Sequence, residues 1–392
     1  MTMRRFSFLF AAALLLAVSV RAEFSPLAVH PEGNGMPLSE TGARERGMGD
    51  AGMAAISSKG FFLPNISRSA YFDRTSFTAT LEADEDWLHD DASSNHTMTL
   101  SLPTIATFIK TSKLGTIGAY YQQSYLRNFS VLVDGNVQQE YDAEGGTYLL
   151  GLSWAYSPMP LFALGVSENI VLQRDRFIEP ATFNGGSQLP NSENLQDTSL
   201  EASGWGSYPT FSGTLHLHRL DMALSFTPSV DLDITRERRI TNLLADSLSD
   251  TTRALPMKVA AGAAWRASTR QTYAFDLYYE DWKGGGVLNP AYKTAFGYEF
   301  RGLDNPFEEY RKRLTYRAGL GFDQLYLQEV KEFYGTLGIG LPLGRRGHVM
   351  DISLKYGHRS YDGDTFFAED YVKLSASIIG VGIWGQPARK RR

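Results

Sequence analysis

Val349-Met350-Asp351-Ile352-Ser353-Leu354-Lys355-Tyr356-Gly357 alternates apolar and polar side chains, with Met350, Ile352, Leu354 and Tyr356 on one face and Asp351, Ser353 and Lys355 on the other. A period of two marks a strand whose faces meet different surroundings. A soluble two-sided sheet would look the same locally, so repetition decides. The pattern recurs in Phe77/Ala79/Leu81, Met98/Leu100/Leu102, Tyr148 to Tyr156, Met222/Leu224/Phe226, Tyr273 to Tyr279, Leu314 to Phe322 and Phe333 to Leu341.

Working outward from that stretch, the alternation predicts strands at 75–84, 96–109, 115–127, 147–156, 161–174, 210–218, 221–231, 256–266, 271–282, 293–302, 313–322, 332–341, 347–358 and 369–383. The gaps alternate short and long, as in barrels that cross an outer membrane with short periplasmic turns and longer outer loops. On this reading 110–114, 157–160, 219–220, 267–270 and 342–346 are periplasmic turns, and 128–146, 175–209 and 232–255 are outer loops. The gap at 303–312 is an exception, ten residues on the short side. The fold class is all-β, a transmembrane antiparallel β-barrel of about 14 strands with an N-terminal luminal hatch.

The chain start agrees. Met1 to Arg5 is basic, Phe6 to Val20 apolar, and Val20-Arg21-Ala22 a small-residue cleavage site, so residues 1–22 read as a signal peptide. A stretch of fifteen residues is too short for a spanning helix, and no later run supplies about twenty apolar residues, which leaves a closed barrel as the membrane form. The expected location is the outer membrane of a diderm bacterium, with outer-membrane lipid as the surrounding partner. Residues 23–74, rich in Gly, Ser and Pro and without strand periodicity, are expected to plug the lumen; 75–384 form the barrel, and 385–392 a basic periplasmic tail. The 37 glycines, 20 tyrosines and 23 phenylalanines suit closely packed strands with aromatic girdles. A net charge of −5 predicts no nucleic-acid partner, and zero Cys excludes disulfides and thiolate metal sites.

The motifs are weak as chemistry. Gly47-Met48-Gly49-Asp50-Ala51-Gly52 has the letters of a dinucleotide fingerprint, yet no apolar strand precedes it, so no cofactor is expected and the glycines are read as tight turns of the plug. His216 and His218, two apart, would share a strand face, but no third ligand is evident, so they are read as polar lumen residues rather than a metal site. No GxSxG-type nucleophile motif appears, and no enzyme is expected. Glu168 falls in phase with Phe162, Leu164, Val166, Ile170 and Leu172, which would aim a carboxylate at lipid. A bulge returning it to the lumen is the favoured resolution; a local opening in the wall, on a lateral path, is the alternative.

Gly42-Ala43-Arg44-Glu45-Arg46-Gly47-Met48-Gly49-Asp50-Ala51-Gly52-Met53-Ala54, followed by Pro64-Asn65, resembles the N-terminal pattern of the FadL-like family of hydrophobic-compound transporters. Gly338-Ile339-Gly340-Leu341-Pro342-Leu343, Leu354-Lys355-Tyr356-Gly357, Glu369-Asp370-Tyr371 and Trp384 are similar to the PorV-like branch of that group in Bacteroidetes and relatives, as is Pro256 to Trp282 with Gly262 and Asp276. The resemblance implies a fourteen-stranded barrel with a hatch built on Gly42, Arg44, Gly47, Met48, Gly49, Gly52, Pro64 and Asn65. It also implies passive uptake of hydrophobic small molecules such as long-chain fatty acids. Two departures stand out: Pro64-Asn65-Ile66-Ser67 replaces the Asn-Pro-Ala of many relatives, and the last residue is Arg392 rather than an aromatic. The second functional reading is a PorV-like scaffold that holds a secreted protein at the surface through long loops such as 175–209, with Trp205, Tyr208 and the adjoining Phe211 as contacts.

Overall fold

The computed structural model describes residues 34–57, 60–89, 94–111, 113–133, 137–179, 181–183, 198–240, 247–282, 288–327, 330–343, 347–361 and 367–382. The expected signal peptide and basic tail lie outside the described residues.

The alternating segments form one antiparallel sheet that closes on itself. After β1 (Met36–Pro37), the wall begins with β2 (Thr75–His89), β3 (Ser94–Lys110) and β4 (Thr116–Leu126), the last extended by β5 (Phe129–Val133). It continues with β6 (Val137–Met159), β7 (Phe162–Glu179) with the short β8 (Ala181–Phe183), and β9 (Thr198–His216). Next come β10 (Leu220–Thr227) continued by β11 (Val230–Ile240), β12 (Ser247–Leu255) continued by β13 (Met257–Arg266), and β14 (Gln271–Asp281). The circuit ends with β15 (Ala291–Phe300), β16 (Thr315–Gln324), β17 (Val330–Leu343), β18 (His348–Tyr361) and β19 (Phe367–Gly382). Strand β19 pairs with β2 from Ala368↔His89 to Gly382↔Thr75, so fourteen staves close the barrel as the alternation requires.

Phase is kept as well. Asp351 and Ser353 are buried toward the lumen while Leu354 and Tyr356 are exposed outward. Outward tiers of aromatic rings, Trp265–Tyr273–Tyr298 and Tyr279–Tyr292, lie about six strand residues or 20 Å apart, close to the thickness of an outer-membrane apolar band. Exposed Phe275, Leu277, Leu224 and Phe296 fill the interval. A closed barrel with such a surface is an outer-membrane protein of a diderm bacterium.

The expected outer loops are shorter than the sequence suggests. Most of 128–146, 175–209 and 232–255 is strand: β6 begins at Val137, β7 runs to Glu179, β9 begins at Thr198, and β11 and β12 carry the wall through 230–240 and 247–255. The reason is visible in β11, where Leu232 and Ile234 are buried inside and Asp231 and Asp233 are exposed. Past the apolar band the outer face meets water, so the alternation inverts and no longer reads as a lipid-facing strand. At the other end, turns of two to five residues (111–115, 160–161, 217–219, 267–270, 344–347) contrast with 301–314.

A lapse interrupts the wall. Strand β9 pairs with β10 as far as Phe211↔Phe226 and resumes with β11 at Trp205↔Asp233, leaving 206–210 without backbone ladder pairing on that side, bridged there by the Thr210 and Thr227 hydroxyls at 2.9 Å. Pro209 lies in the lapse, Pro228 separates β10 from β11, and Pro256 separates β12 from β13. Each proline withholds the N–H that a ladder needs.

Candidate functional site

Residues 34–72 lie within the barrel, and their sequence explains how they are seated. Gly42 precedes a single helical turn, Ala43–Arg46, whose charged side chains are all buried. Arg44 clamps Glu299 of β15 through two bonds of 2.9 and 3.1 Å, and Glu299 also accepts from Arg317 and Arg301, both at 2.9 Å. Arg317 reaches on to Asp351 at 2.7 Å, linking β16 to β18. Arg46 pairs with Glu82 of β2 and donates to Ser375 of β19. Burial works against the Arg44 cation, yet Glu299 and Glu45 raise its pKa above the usual arginine value; for Arg46 burial prevails and brings it down to about 10.

Asp50 is the centre of a second ionic knot. It is the one non-glycine residue with a positive φ among those described, at 65°, and its carboxylate meets Lys293 at 2.9 Å and Lys355 at 3.7 Å. Ser39 and Thr41 donate to its other oxygen at 3.0 and 3.1 Å. Burial favours the neutral acid, but Lys293 and Lys355, with Arg46 beyond, hold the carboxyl well below the usual carboxylate range.

The glycine motif is a contact surface. A Cβ on Gly47 would lie 2.8 Å from Gly338 Cα, one on Gly319 would lie 2.1 Å from Gly49 N, and one on Gly297 would lie 2.5 Å from Met48 O. Backbone thus rests on backbone, which only glycine permits. Gly52 and Met53 donate their N–H groups to Asp276 Oδ2 at 2.5 and 2.7 Å, opposite Gly262.

The following limb, 60–72, is seated differently. Asn65 Nδ2 donates to Thr214 at 2.9 Å, Ser67 Oγ lies 2.7 Å from the same hydroxyl, and Ser67 N donates to Ser212 at 3.0 Å. Pro64 ends the approach to the 3-10 turn Ile66–Tyr71, which Asn65 caps through Ser67 N. Phe61, Leu63, Ile66 and Phe72 pack with Ala106, Phe108, Tyr120, Ala155 and Ala163.

The segment divides the lumen into two chambers. Toward the long-loop end, a cavity of about 230 Å³ is bounded by Leu38, Glu40, Asp50, Leu63 and Pro64 of the segment and by Tyr125, Leu149, Tyr208, Val259, Tyr278 and Tyr326 of the wall. Beside it Leu149, Val171, Ala202, Tyr208, Leu232, Ile234 and Leu255 form a buried apolar cluster inside the barrel. Toward the short-turn end, a polar chamber of about 650 Å³ touches Arg44, Ser57 and Gly60.

All the motif residues, Gly42, Arg44, Gly47, Met48, Gly49, Gly52, Pro64 and Asn65, are buried or in contact within this assembly except Pro64, which is half-buried at the cavity edge. Glu168 departs from expectation. Pairing of β7 with β6 and β9 runs through it without a register shift, so no bulge rescues it, and its side chain is exposed on the outer face between Leu152 and Pro209. The histidines also part company: β9 ends at His216, which holds Asp221 at 2.7 Å by the short-turn end, and His218 is exposed in the turn itself. Trp205, Tyr208 and Phe211 are wall residues rather than loop residues; Tyr208 points inward and the other two outward.

Sequence reasoning missed Glu299, Arg317, Lys293, Asp351 and the inward glycines 297 and 319 as partners of the segment. A signal existed, since charges and glycines inside strands that face a lumen mark close approach.

Solved structures with this architecture include the toluene transporter TbuX of Ralstonia pickettii (13% identity, TM-score 0.59, covering 88% of this chain and 99% of that one). The toluene transporter TodX of Pseudomonas putida is similar at 12% identity and TM-score 0.60, over 88% of this chain and 98% of that one. At such identities the likeness is one of fold. A search of the curated proteins finds no match. Residues 6–387 match the BamG family, and with nearly the whole length accounted for, the chain belongs to the BamG family.

Proposed function

We propose that this barrel is a channel for passive passage of hydrophobic small molecules across the outer membrane, long-chain fatty acids among them, with its short-turn end in the periplasm. The observation that carries the reading is the cavity above the segment, lined by Leu38, Leu63, Leu149, Tyr208, Val259 and Tyr326 and backed by the buried apolar cluster that continues through Val171, Leu232 and Ile234. A concave site lined largely by apolar and aromatic side chains suits an apolar occupant. Of that cluster Leu149 and Tyr208 line the cavity, which also reaches Thr210 and Thr227 at the wall lapse. Just beyond the lapse, Phe211 and Phe226 begin an outer trench of about 730 Å³ floored by Gly213, Ala261 and Ala263. A lipophile would be captured in the cavity above the N-terminal segment, which acts as a hatch, and leave sideways through the lapse into the bilayer. The FadL-like pattern of residues 42–65 supports the same course. The test is uptake of a fluorescent fatty acid by cells carrying the full chain. Leu149→Arg, at a residue that lines the cavity, should abolish uptake while heat-dependent gel mobility shows a folded barrel; unchanged uptake sinks the channel.

A second reading, a scaffold for a secreted protein, draws on the same hatch: an apolar ligand offers nothing to compete with the ion pairs of Arg44, Arg46 and Asp50. It requires that a surface protein co-purify stoichiometrically with the barrel and that fatty-acid uptake be absent.

A further inference from the structure

Among the turns at the short end, 301–314 is the outlier in length, and it is built rather than loose. Leu303 N donates to Lys312 O at 2.8 Å, Phe307 N to Asn305 Oδ1 at 3.1 Å, and Lys312 N to Glu309 O at 3.0 Å before the 3-10 turn Tyr310–Arg313. Gly302 is packed so closely that a Cβ there would lie 2.1 Å from Arg313 O. A turn held this firmly nevertheless displays Phe307, 82% exposed, and Tyr310, 50% exposed. Large aromatic rings shown to solvent on a stiff support are what an interface uses as anchors.

Within the turn the charges nearly balance: Arg311, Lys312 and Arg313 follow Tyr310, while Asp304, Glu308 and Glu309 precede it and Lys312 lies 3.9 and 3.6 Å from the two glutamates. The excess lies in the chamber beneath, lined by six arginines against four carboxylates in a chain that is acidic overall. Arg270, its guanidinium 4.4 Å above the Phe300 ring, has no carboxylate partner among the described residues. Gly302, Leu303, Asp304, Pro306 and Arg313 themselves line that chamber, so the turn stands over the lumen mouth, away from the lipid that surrounds the barrel.

We propose that the 301–314 turn and the arginine-lined mouth form a docking surface for a soluble periplasmic protein that presents an acidic patch with an apolar recess. This rests on the periplasmic placement of the short-turn end. The aromatic pair fills the recess, and the basic residues steer and orient the acidic patch.

The test uses the full chain in living cells, with photoreactive benzoylphenylalanine in place of Phe307, of Tyr310, or of Ser268 in the neighbouring turn as control. The expected result is one protein adduct of discrete mass from the first two positions and none from the third, mapping to an Asp- and Glu-rich peptide of the partner. Arg311→Glu with Arg270→Glu should cut its yield about tenfold, the effect of two rim ion pairs. Unchanged heat-dependent gel mobility shows that the barrel is folded. No adduct, the same adduct from position 268, indifference to charge reversal, or an adduct with lipid overturns the proposal. Separately, Phe307→Cys in this Cys-free chain reports orientation: labelling of intact cells by an impermeant maleimide overturns the periplasmic placement itself.

Discussion

The wall from β15 to β19 with β2 and the wall from β6 to β12 hold the N-terminal segment by different chemistry. The first offers Lys293, Glu299, Arg317, Asp351, Lys355 and Glu82, and holds residues 42–50 by ion pairs. The second offers Leu149, Val171, Leu232 and the hydroxyls of Ser212 and Thr214, and holds residues 60–72 by packing and neutral hydrogen bonds. Ion pairs removed from water are directional and punish displacement of either partner, whereas apolar contact tolerates exchange of one hydrocarbon for another. The difference assigns retention of the segment to one side of the lumen and leaves the cavity and wall lapse on the other.

The contrast can be broken most severely at Glu299. Glu299→Ala would strand Arg44 and Arg317 without their shared carboxylate, at a cost of about 3 to 5 kcal/mol in unfolding free energy. Ion conductance in planar bilayers should rise with it. Asp50→Ala comes next, about 3 kcal/mol, because it removes the counter-charge of two lysines at a left-handed residue; Asp50→Asn should recover about 1 kcal/mol of that, since Asn accepts the backbone. Equal losses from both would show that the backbone conformation is irrelevant.

On the other side, Thr214→Val takes away the hydroxyl shared by Asn65 and Ser67 and should cost only about 1 kcal/mol, with conductance unchanged. A conductance increase as large as that of Glu299→Ala would erase the distinction between the two walls. Glu168→Leu should stabilise the barrel by about 1 kcal/mol, because the carboxylate faces out among apolar neighbours; a loss would falsify its outward placement. The smallest expected effect is that of acid. With its pKa depressed, Asp50 contributes stability that is complete above the ordinary aspartate value and lost only as pH falls through the much lower folded value. The difference in stability between the parent and Asp50→Ala should therefore stay constant from pH 7 down to about 4, and a narrowing above that range would contradict the knot around Asp50.

Much of the barrel was legible because lipid imposes a rule on every second residue. Fourteen staves, their phase and the short turns follow from that rule alone. Where lipid stops, so does the rule: β11 inverts its alternation at Leu232 and Ile234, and the sequence there was read as loop. Glu168 was misjudged for a related reason. Its cost in hydrocarbon argues for a bulge, but β7 keeps regular register with Leu152 on one side and Pro209 on the other, and the alternation leaves the carboxylate outward. The glycine motif announced close contact but not with what, since the partners Gly297, Gly319 and Gly338 come together only through the closure of the sheet.

The helical turn at 43–46 touches the first and last staves at once: Ala43 N donates to Ser377 of β19 at 2.8 Å, while Arg46 pairs with Glu82 of β2 and donates to Ser375 of β19. Ser377 in turn meets Thr80 of β2 at 2.8 Å across the same junction. The junction joins residues nearly 300 positions apart in the chain, which makes it a late pairing during assembly. The segment therefore serves as a clasp as well as a stopper: a chain that fails to seat it brings its two edges together with buried charges unmet, and a barrel that has closed carries the proof of correct filling in its own seam.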